Sequence, residues 1–231
     1  MIDQEVLNSF KKTSLEYMGN TNSLHKLGVD AKKLEVAATK QILNLLHVNN
    51  KEVVYTSDRN EANSLAIFGL LEKYKGKNKK VLVFQDCDSS IIDAVVYFKK
   101  FSFKIVFIPA NDIDYLKREL TDDVVLVCMM TNLEVDKISK LVKDTRQANL
   151  LIDMTNDFSF NFDFNMGDFI VFDARSCNAI LGIGCLLIKK DLVIEPVFHG
   201  GKSTTDFRSG TPALPFIVAF SKALRVMYNN G

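Results

Sequence analysis

Several short stretches of this chain are apolar at nearly every position, and that pattern restricts the fold more than any other feature. They are "EVVYT" (52–56), "KVLVF" (80–84), "KIVFI" (104–108), "DVVLVCMM" (123–130), "LLID" (150–153) and "DFIVF" (168–172). A strand with one wet face alternates apolar and polar residues, whereas a strand covered on both faces does not. Between these stretches lie segments with a period near 3.6, at about 59–73, 89–100, 111–119 and 136–147. Strand, helix, strand at this spacing requires right-handed crossovers and a mainly parallel sheet with helices on both sides. A further helix is predicted over 29–46, and "LPFIVAFSKALRVMYNN" supplies one at the end. "FDARSCNAILGIGCLLIKK" (172–190) reads as two apolar strands joined by a turn that carries Asp173, Arg175 and Ser176. No repeat, low-complexity segment or linker interrupts the series. The expectation is one three-layer α/β/α domain over 1–231, with a mainly parallel sheet of about seven strands.

Composition narrows the function classes. The chain is 47% hydrophobic and 25% charged, as suits a globular domain with a substantial core. Its 29 basic and 28 acidic residues leave a net charge of +1, which argues against a general pull on nucleic acid or membrane lipid. Apolar runs such as "VVLVCMM" are strand-sized, well below the ~18 residues of a membrane span. The N-terminal "MIDQEVLNSFKK" lacks a signal-peptide core, so a cytoplasmic location is expected. Cys87, Cys128, Cys177 and Cys185 form no C-x-x-C pair, which argues against structural zinc. Cys128 and Cys185 fall inside strand patterns, where a thiol is buried and inert.

In open sheets of this kind ligands sit beyond the carboxyl ends of the strands. The polar residues there are Thr56 to Asn60, Asp86 to Ser89, Thr131-Asn132, Asp153 to Asn156, and Asp173 to Ser176. Arg59, Asn60, Asn132, Asp153, Arg175 and Arg208 would suit a polar or zwitterionic small molecule.

Three stretches resemble the cysteine desulfurases, in the class V aminotransferase group of pyridoxal-phosphate enzymes. "GNTNSLHKLG" (19–28) resembles G-N-P-S-S-x-H, "YTSDRNEANSLAI" (55–67) resembles F-T-S-G-A-T-E-A-N-N, and "FRSGTPALPFIVAFSKAL" (207–224) resembles R-S-G-T-P-N with its following helix. The match runs in order over nearly the whole chain. It implies the large domain of a type I pyridoxal-phosphate fold, working as a homodimer, with a full-length desulfurase or sulfur-transfer protein as a further partner. It also implies that the chain starts after the family's first strand and lacks the C-terminal small domain and the sulfur-accepting cysteine. Cys177 lies at a different position and does not take that role.

Carried over position by position, the resemblance shows what has changed. The family holds the cofactor aldehyde through the lysine of a strand-end S-A-H-K; here the same place reads Asp173-Ala174-Arg175-Ser176. A hydroxyl cannot form the imine that an amine forms. Cys87 stands where the family stacks a histidine on the pyridine ring. Asp153 matches the aspartate that pairs with the pyridine nitrogen, Asn156 replaces a glutamine, and Asn132 matches one asparagine of N-N-E. The phosphate cup G-A-T reads Asp58-Arg59-Asn60, and Asp173 replaces a serine, so two carboxylates approach the phosphate position. At ~4 Å and an effective dielectric of about 20, each such like-charge contact costs on the order of 4 kcal/mol, which Arg59, Arg175 or Arg208 would partly offset. Asp58 also suits a helix N-cap, its carboxylate taking the N–H groups the phosphate would need. Thr211 matches a threonine that reaches the neighbouring subunit's phosphate in the family, and equally suits the turn before Pro212.

Three functions follow: a non-catalytic dimeric binding or scaffold relative, an active pyridoxal-phosphate enzyme using another lysine (Lys202 or Lys189), or a binder of a small polar metabolite. His25 fits a local structural hydrogen bond, and His199 is placed to line the cleft.

Overall fold

In a computed structural model of the chain, all residues are described except 1, 111, 133, 146–147 and 202–204. Two helices come first, α1 (Gln4–Glu16) and α2 (Lys26–Leu45). They are followed by β1 (Lys51–Thr56), α3 (Arg59–Leu71), β2 (Lys80–Phe84), α4 (Ser89–Tyr97) and β3 (Lys104–Ile108). The chain continues through α5 (Ile113–Glu119), β4 (Val124–Met130), α6 (Val135–Asp144) and β5 (Asn149–Asp153). It ends with β6 (Phe169–Asp173), β7 (Gly184–Lys189) and α7 (Leu214–Asn230). The seven strands form one sheet in the order β1-β7-β6-β5-β4-β2-β3. Every neighbouring pair is parallel except those of β7, which runs antiparallel to both β1 and β6.

This is the predicted three-layer sheet. Strands β2, β4 and β6 are buried along their whole length, as their unbroken apolar sequences require. The 172–190 segment forms an antiparallel pair in which Asp173 faces Gly184 across the ladder. Two predicted helices are shorter than their period suggests, because α3 and α4 tighten into 3-10 turns at Glu72–Tyr74 and Phe98–Phe101. The first helix, α1, has no counterpart in the sequence reading. Asp3 caps it by accepting from Glu5 N at 2.7 Å, and Phe10 meets Phe216 of α7 edge-on at 4.9 Å. His25 caps α2 through Nδ1, which accepts from Gly28 N at 3.3 Å, as expected of a local structural histidine. Gly28 is required there: a Cβ would lie 2.3 Å from Ser23 O.

A buried lysine sits at the base of β1. Lys51 opens β1 with 1% of its surface exposed, and its Nζ donates to Gly167 O. Burial lowers its pKa to about 8, with the Asp168 carboxylate partly opposing the shift and the Lys189 and Lys143 ammonium groups reinforcing it. The unfolded chain keeps this proton up to about pH 10.5 whereas the folded chain releases it near 8. The penalty is therefore fully present below pH 8 and is relieved as pH rises from 8 to 10.5. The stability of the wild type relative to Lys51→Met should accordingly rise by about 3 kcal/mol between neutral and strongly alkaline pH. Urea denaturation of both proteins across that range checks this. A difference independent of pH would mean that the amine is not desolvated.

Candidate functional site

The carboxyl ends of β2, β4, β5 and β6 lie side by side, and the loops after them carry most of the residues singled out from the sequence. Asp153 ends β5 and has no exposed surface. Its Oδ1 accepts from Thr155 N at 2.8 Å and Thr155 Oγ1 at 2.6 Å; its Oδ2 accepts from Asn63 Nδ2 at 2.8 Å. Asn63, fully buried on α3, also donates to Ser90 Oγ at 3.0 Å, while its Oδ1 has no hydrogen-bond partner among the described residues. Three internal donors thus satisfy the carboxylate without help from the cleft.

Thr155 connects this group to the turn after β6. Its carbonyl accepts from Ser176 Oγ at 3.2 Å, and the same hydroxyl accepts from Asp173 N at 3.3 Å. Asp173 is buried; its Oδ1 accepts from Arg175 N at 2.9 Å and its Oδ2 lies 4.0 Å from Arg175 Nε. The Arg175 side chain is 65% exposed. Cys87 lies buried in the loop after β2, its thiol donating to Cys128 O at 3.4 Å. Burial, reinforced by the Asp86 and Asp153 carboxylates, pushes that thiol far above its ordinary value, so it stays protonated. Cys128 and Cys185 are fully buried in β4 and β7, as their strand pattern predicted.

The start of α3 is occupied by the chain's own carboxylates. Asp58 accepts from Glu61 N at 3.0 Å, and Glu61 accepts from Ser57 N at 2.7 Å. The capping role read for Asp58 is therefore realised. Burial pushes the Glu61 carboxyl up, but hydrogen bonds from Arg208 and Ser57 outweigh it and hold the group below its usual range. Gly184 lets β7 approach this corner, where a Cβ would stand 2.5 Å from Asp58 O. Arg59 crosses the strand ends: its Nη2 donates to Asp88 Oδ2 at 2.5 Å and its Nη1 to Asn156 Oδ1 at 3.4 Å. Asp88 in turn caps α4 by accepting from Ser90 N at 2.9 Å.

The other singled-out residues sit apart. Asn132 turns the chain toward α6 by accepting from Glu134 N at 2.9 Å. Asn60 is exposed. Among the described residues, no hydrogen bond joins Asn60, Asn132, Arg208 or Thr211 to Asp153. Arg208 donates to Glu61 and lies over the Phe198 ring at 5.6 Å. Thr211, exposed, is 3.3 Å from Asn20 Nδ2. Both line a cavity of about 160 Å³ between the end of β1 and the start of α7.

Lys189 is not placed to supply an amine at the strand-end cleft. Because β7 runs antiparallel, Lys189 pairs with Lys51 at the opposite end of the sheet, roughly 16 Å of strand from the Ser176 turn. Its ammonium lies 3.6 Å from Asp168. Lys202 lies outside the described residues. His199 is exposed beside Glu195 and Val197 rather than beside Asp153. Thr155 falls within the polar strand-end residues read from the sequence, whereas Asn63 and Ser90 do not; Asn63 lies inside the "NEAN" stretch quoted above, but its partner is 90 positions away.

The aminotransferase class-V family model matches residues 1–231. The chain belongs to that family. Cysteine desulfurase IscS 1 of Archaeoglobus fulgidus is 25% identical over 240 residues, covering 97% of this chain and 62% of the relative. The mitosomal cysteine desulfurase of Trachipleistophora hominis is 27% identical over 244 residues, covering 97% and 55%. The chain thus spans little more than half to three-fifths of the length of these relatives. A solved NifS-like protein superposes with a TM-score of 0.93 at 22% identity, covering 99% of this chain and 67% of its own. The apo cysteine desulfurase of Thermococcus onnurineus gives 0.88 at 20% identity, covering 100% and 66%. These structures share the fold of a type I pyridoxal-phosphate enzyme.

The family depends on pyridoxal phosphate, and the residues present at the strand ends do not fit that group. A carboxylate that is to bond a ring nitrogen must be reachable from the cleft, and Asp153 is sealed. Two backbone N–H groups at the start of α3, those of Ser57 and Glu61, already donate to the carboxylates of Glu61 and Asp58, which puts two like charges where a phosphate would sit. Ser176 offers a hydroxyl already committed to its own turn.

The Asn63–Asp153 bond is accordingly a structural one. Asn63→Leu leaves Asp153 Oδ2 without its side-chain donor and should cost ~2–3 kcal/mol. That corresponds to a fall in Tm of roughly 5–10 °C for a domain of this size. An unchanged melting temperature by differential scanning calorimetry would show that the carboxylate has other support.

Proposed function

We propose that this chain is a non-catalytic member of the class V aminotransferase family that acts as a dimeric binding or scaffold protein. What carries this reading is Ser176: the sequence resemblance matches it to the family's lysine, and a hydroxyl forms no imine with an aldehyde. Two further observations support it: Asp153 is buried with its carboxylate held by donors of the chain itself, and the start of α3 carries the carboxylates of Asp58 and Glu61. Partner binding is supported by a run of exposed apolar side chains, Met18, Leu24, Leu27, Val29 and Val36, on α2 and the loop before it. A second copy, a full-length desulfurase or a sulfur-transfer protein is the proposed occupant, and the cytoplasm the proposed compartment.

The test uses the purified chain with pyridoxal phosphate and L-cysteine. Sulfide release should not exceed that of the free cofactor, and borohydride should fix no cofactor to the protein. Release above that background, or a labelled peptide containing Lys202, would replace this reading with an active transferase. Sedimentation as a monomer at all concentrations, alone and with a desulfurase present, would remove its dimeric part.

A further inference from the structure

The near-zero net charge conceals a one-sided distribution. Residues 72–80 ("EKYKGKNKK") and 97–104 ("YFKKFSFK") carry eight lysines and one acid, leaving 21 basic against 27 acidic residues elsewhere. The fold places the two stretches side by side. Gly76 N donates to Phe101 O at 3.1 Å, and Lys104 N donates to Lys79 O at 2.9 Å. They form one face at the amino ends of β2 and β3, the opposite end of the sheet from Asp153. Lys80 is buried and held by Glu119, Thr121 and Asp123, so it belongs to the core of this face. Lys75 is ion-paired with Glu72, and Lys73 donates to Val193 O. Lys77, Lys99, Lys100 and Lys104 are exposed, and Lys79 is half-buried.

Aromatic rings alternate with these ammonium groups. Lys100 Nζ lies 3.5 Å from the Tyr97 ring centroid and 5.2 Å from that of Phe101; Lys75 Nζ lies 4.1 Å from Phe101. Lys73 and Lys77 stand over Tyr74 at 5.1 and 5.6 Å. Tyr97 is 43% exposed and is backed by Phe68 and Phe98, with centroids at 5.0 and 5.6 Å. A ring held from behind, with a cation on its outer face, is a platform on which a flat base can replace the ammonium while the ammonium moves to a flanking phosphate.

We propose that this face binds single-stranded nucleic acid without strong sequence preference. A membrane surface fits less well, because Tyr97 is the only large apolar residue counted as exposed within these stretches, among the described residues, and no apolar wedge protrudes. An acidic protein would use the lysines but not the ring faces.

The test is fluorescence anisotropy of the full chain with a labelled single-stranded oligothymidylate of about 20 nucleotides. Lysine-to-phosphate contacts release counterions, so the logarithm of the affinity should fall with that of the salt concentration with a slope of about −3.5 to −4 for five or six contacts. K99E/K100E should weaken binding at least tenfold. Tyr97→Leu, which keeps the packing on Phe68 but removes the π face, should weaken it about tenfold with the slope unchanged. K11E/K12E on α1 should have no effect, and circular dichroism should show that each variant is folded. The proposal is overturned if the oligonucleotide does not bind at low salt or if K99E/K100E leaves binding unchanged. It is equally overturned if polyglutamate or phosphatidylserine vesicles bind as tightly while Tyr97→Leu changes nothing.

Discussion

The strand-end region depends on the carboxylate of Asp153, buried with no ion pair among the described residues and held by three donors from its own chain. A carboxylate out of water must find hydrogen bonds or give up its charge. Here Asn63 approaches from α3 and Thr155 from the following loop, so the β5 end, the α3 helix and the Ser176 turn are fastened to one another. Thr155 contributes its N–H and hydroxyl to Asp153 and its carbonyl to Ser176, which makes the turn after β6 part of the same network. The geometry is that of a closed structural joint.

A second constraint acts one helix turn away. The free N–H groups at a helix start attract an anion, and in this chain the anions are Asp58 and Glu61. Glu61 is in turn held by Arg208, and Arg59 is drawn across the strand ends by Asp88. Each arginine near the cleft that the resemblance would offer to a phosphate is thereby paired with a carboxylate of the chain itself. The opening charge problem, two carboxylates near a phosphate, is resolved locally through capping bonds and ion pairs.

Much of this was legible in the sequence and some was not, for identifiable reasons. Buried parallel strands announce themselves because both faces must be apolar, so β2, β4, β5 and β6 fall close to their predicted limits. Asp58 was readable as a cap because capping is local. The bond from Asn63 to Asp153 was not, because it spans 90 residues and neither partner's chemistry singles out the other. Lys189 misled because nearness in sequence to Ser176 suggested nearness in space; the antiparallel run of β7 carries it to the far end of the sheet. Helix α1 escaped because its apolar residues are few and its burial comes from α7, more than 200 positions away. The lysine-rich face was hidden by averaging, since the whole-chain charge cancels what the 72–80 and 97–104 stretches concentrate.

On the proposed reading, absence of the amine and closure of its surroundings are separate changes, and restoring only the first distinguishes them. The decisive measurement is the visible spectrum of Ser176→Lys after incubation with pyridoxal phosphate and gel filtration. With Asp153 sealed and the α3 start capped by Asp58 and Glu61, the expected result is a colourless protein. A yellow protein that keeps its colour through the column would contradict the closed joint, showing that a single lost lysine is all that separates this chain from its cofactor.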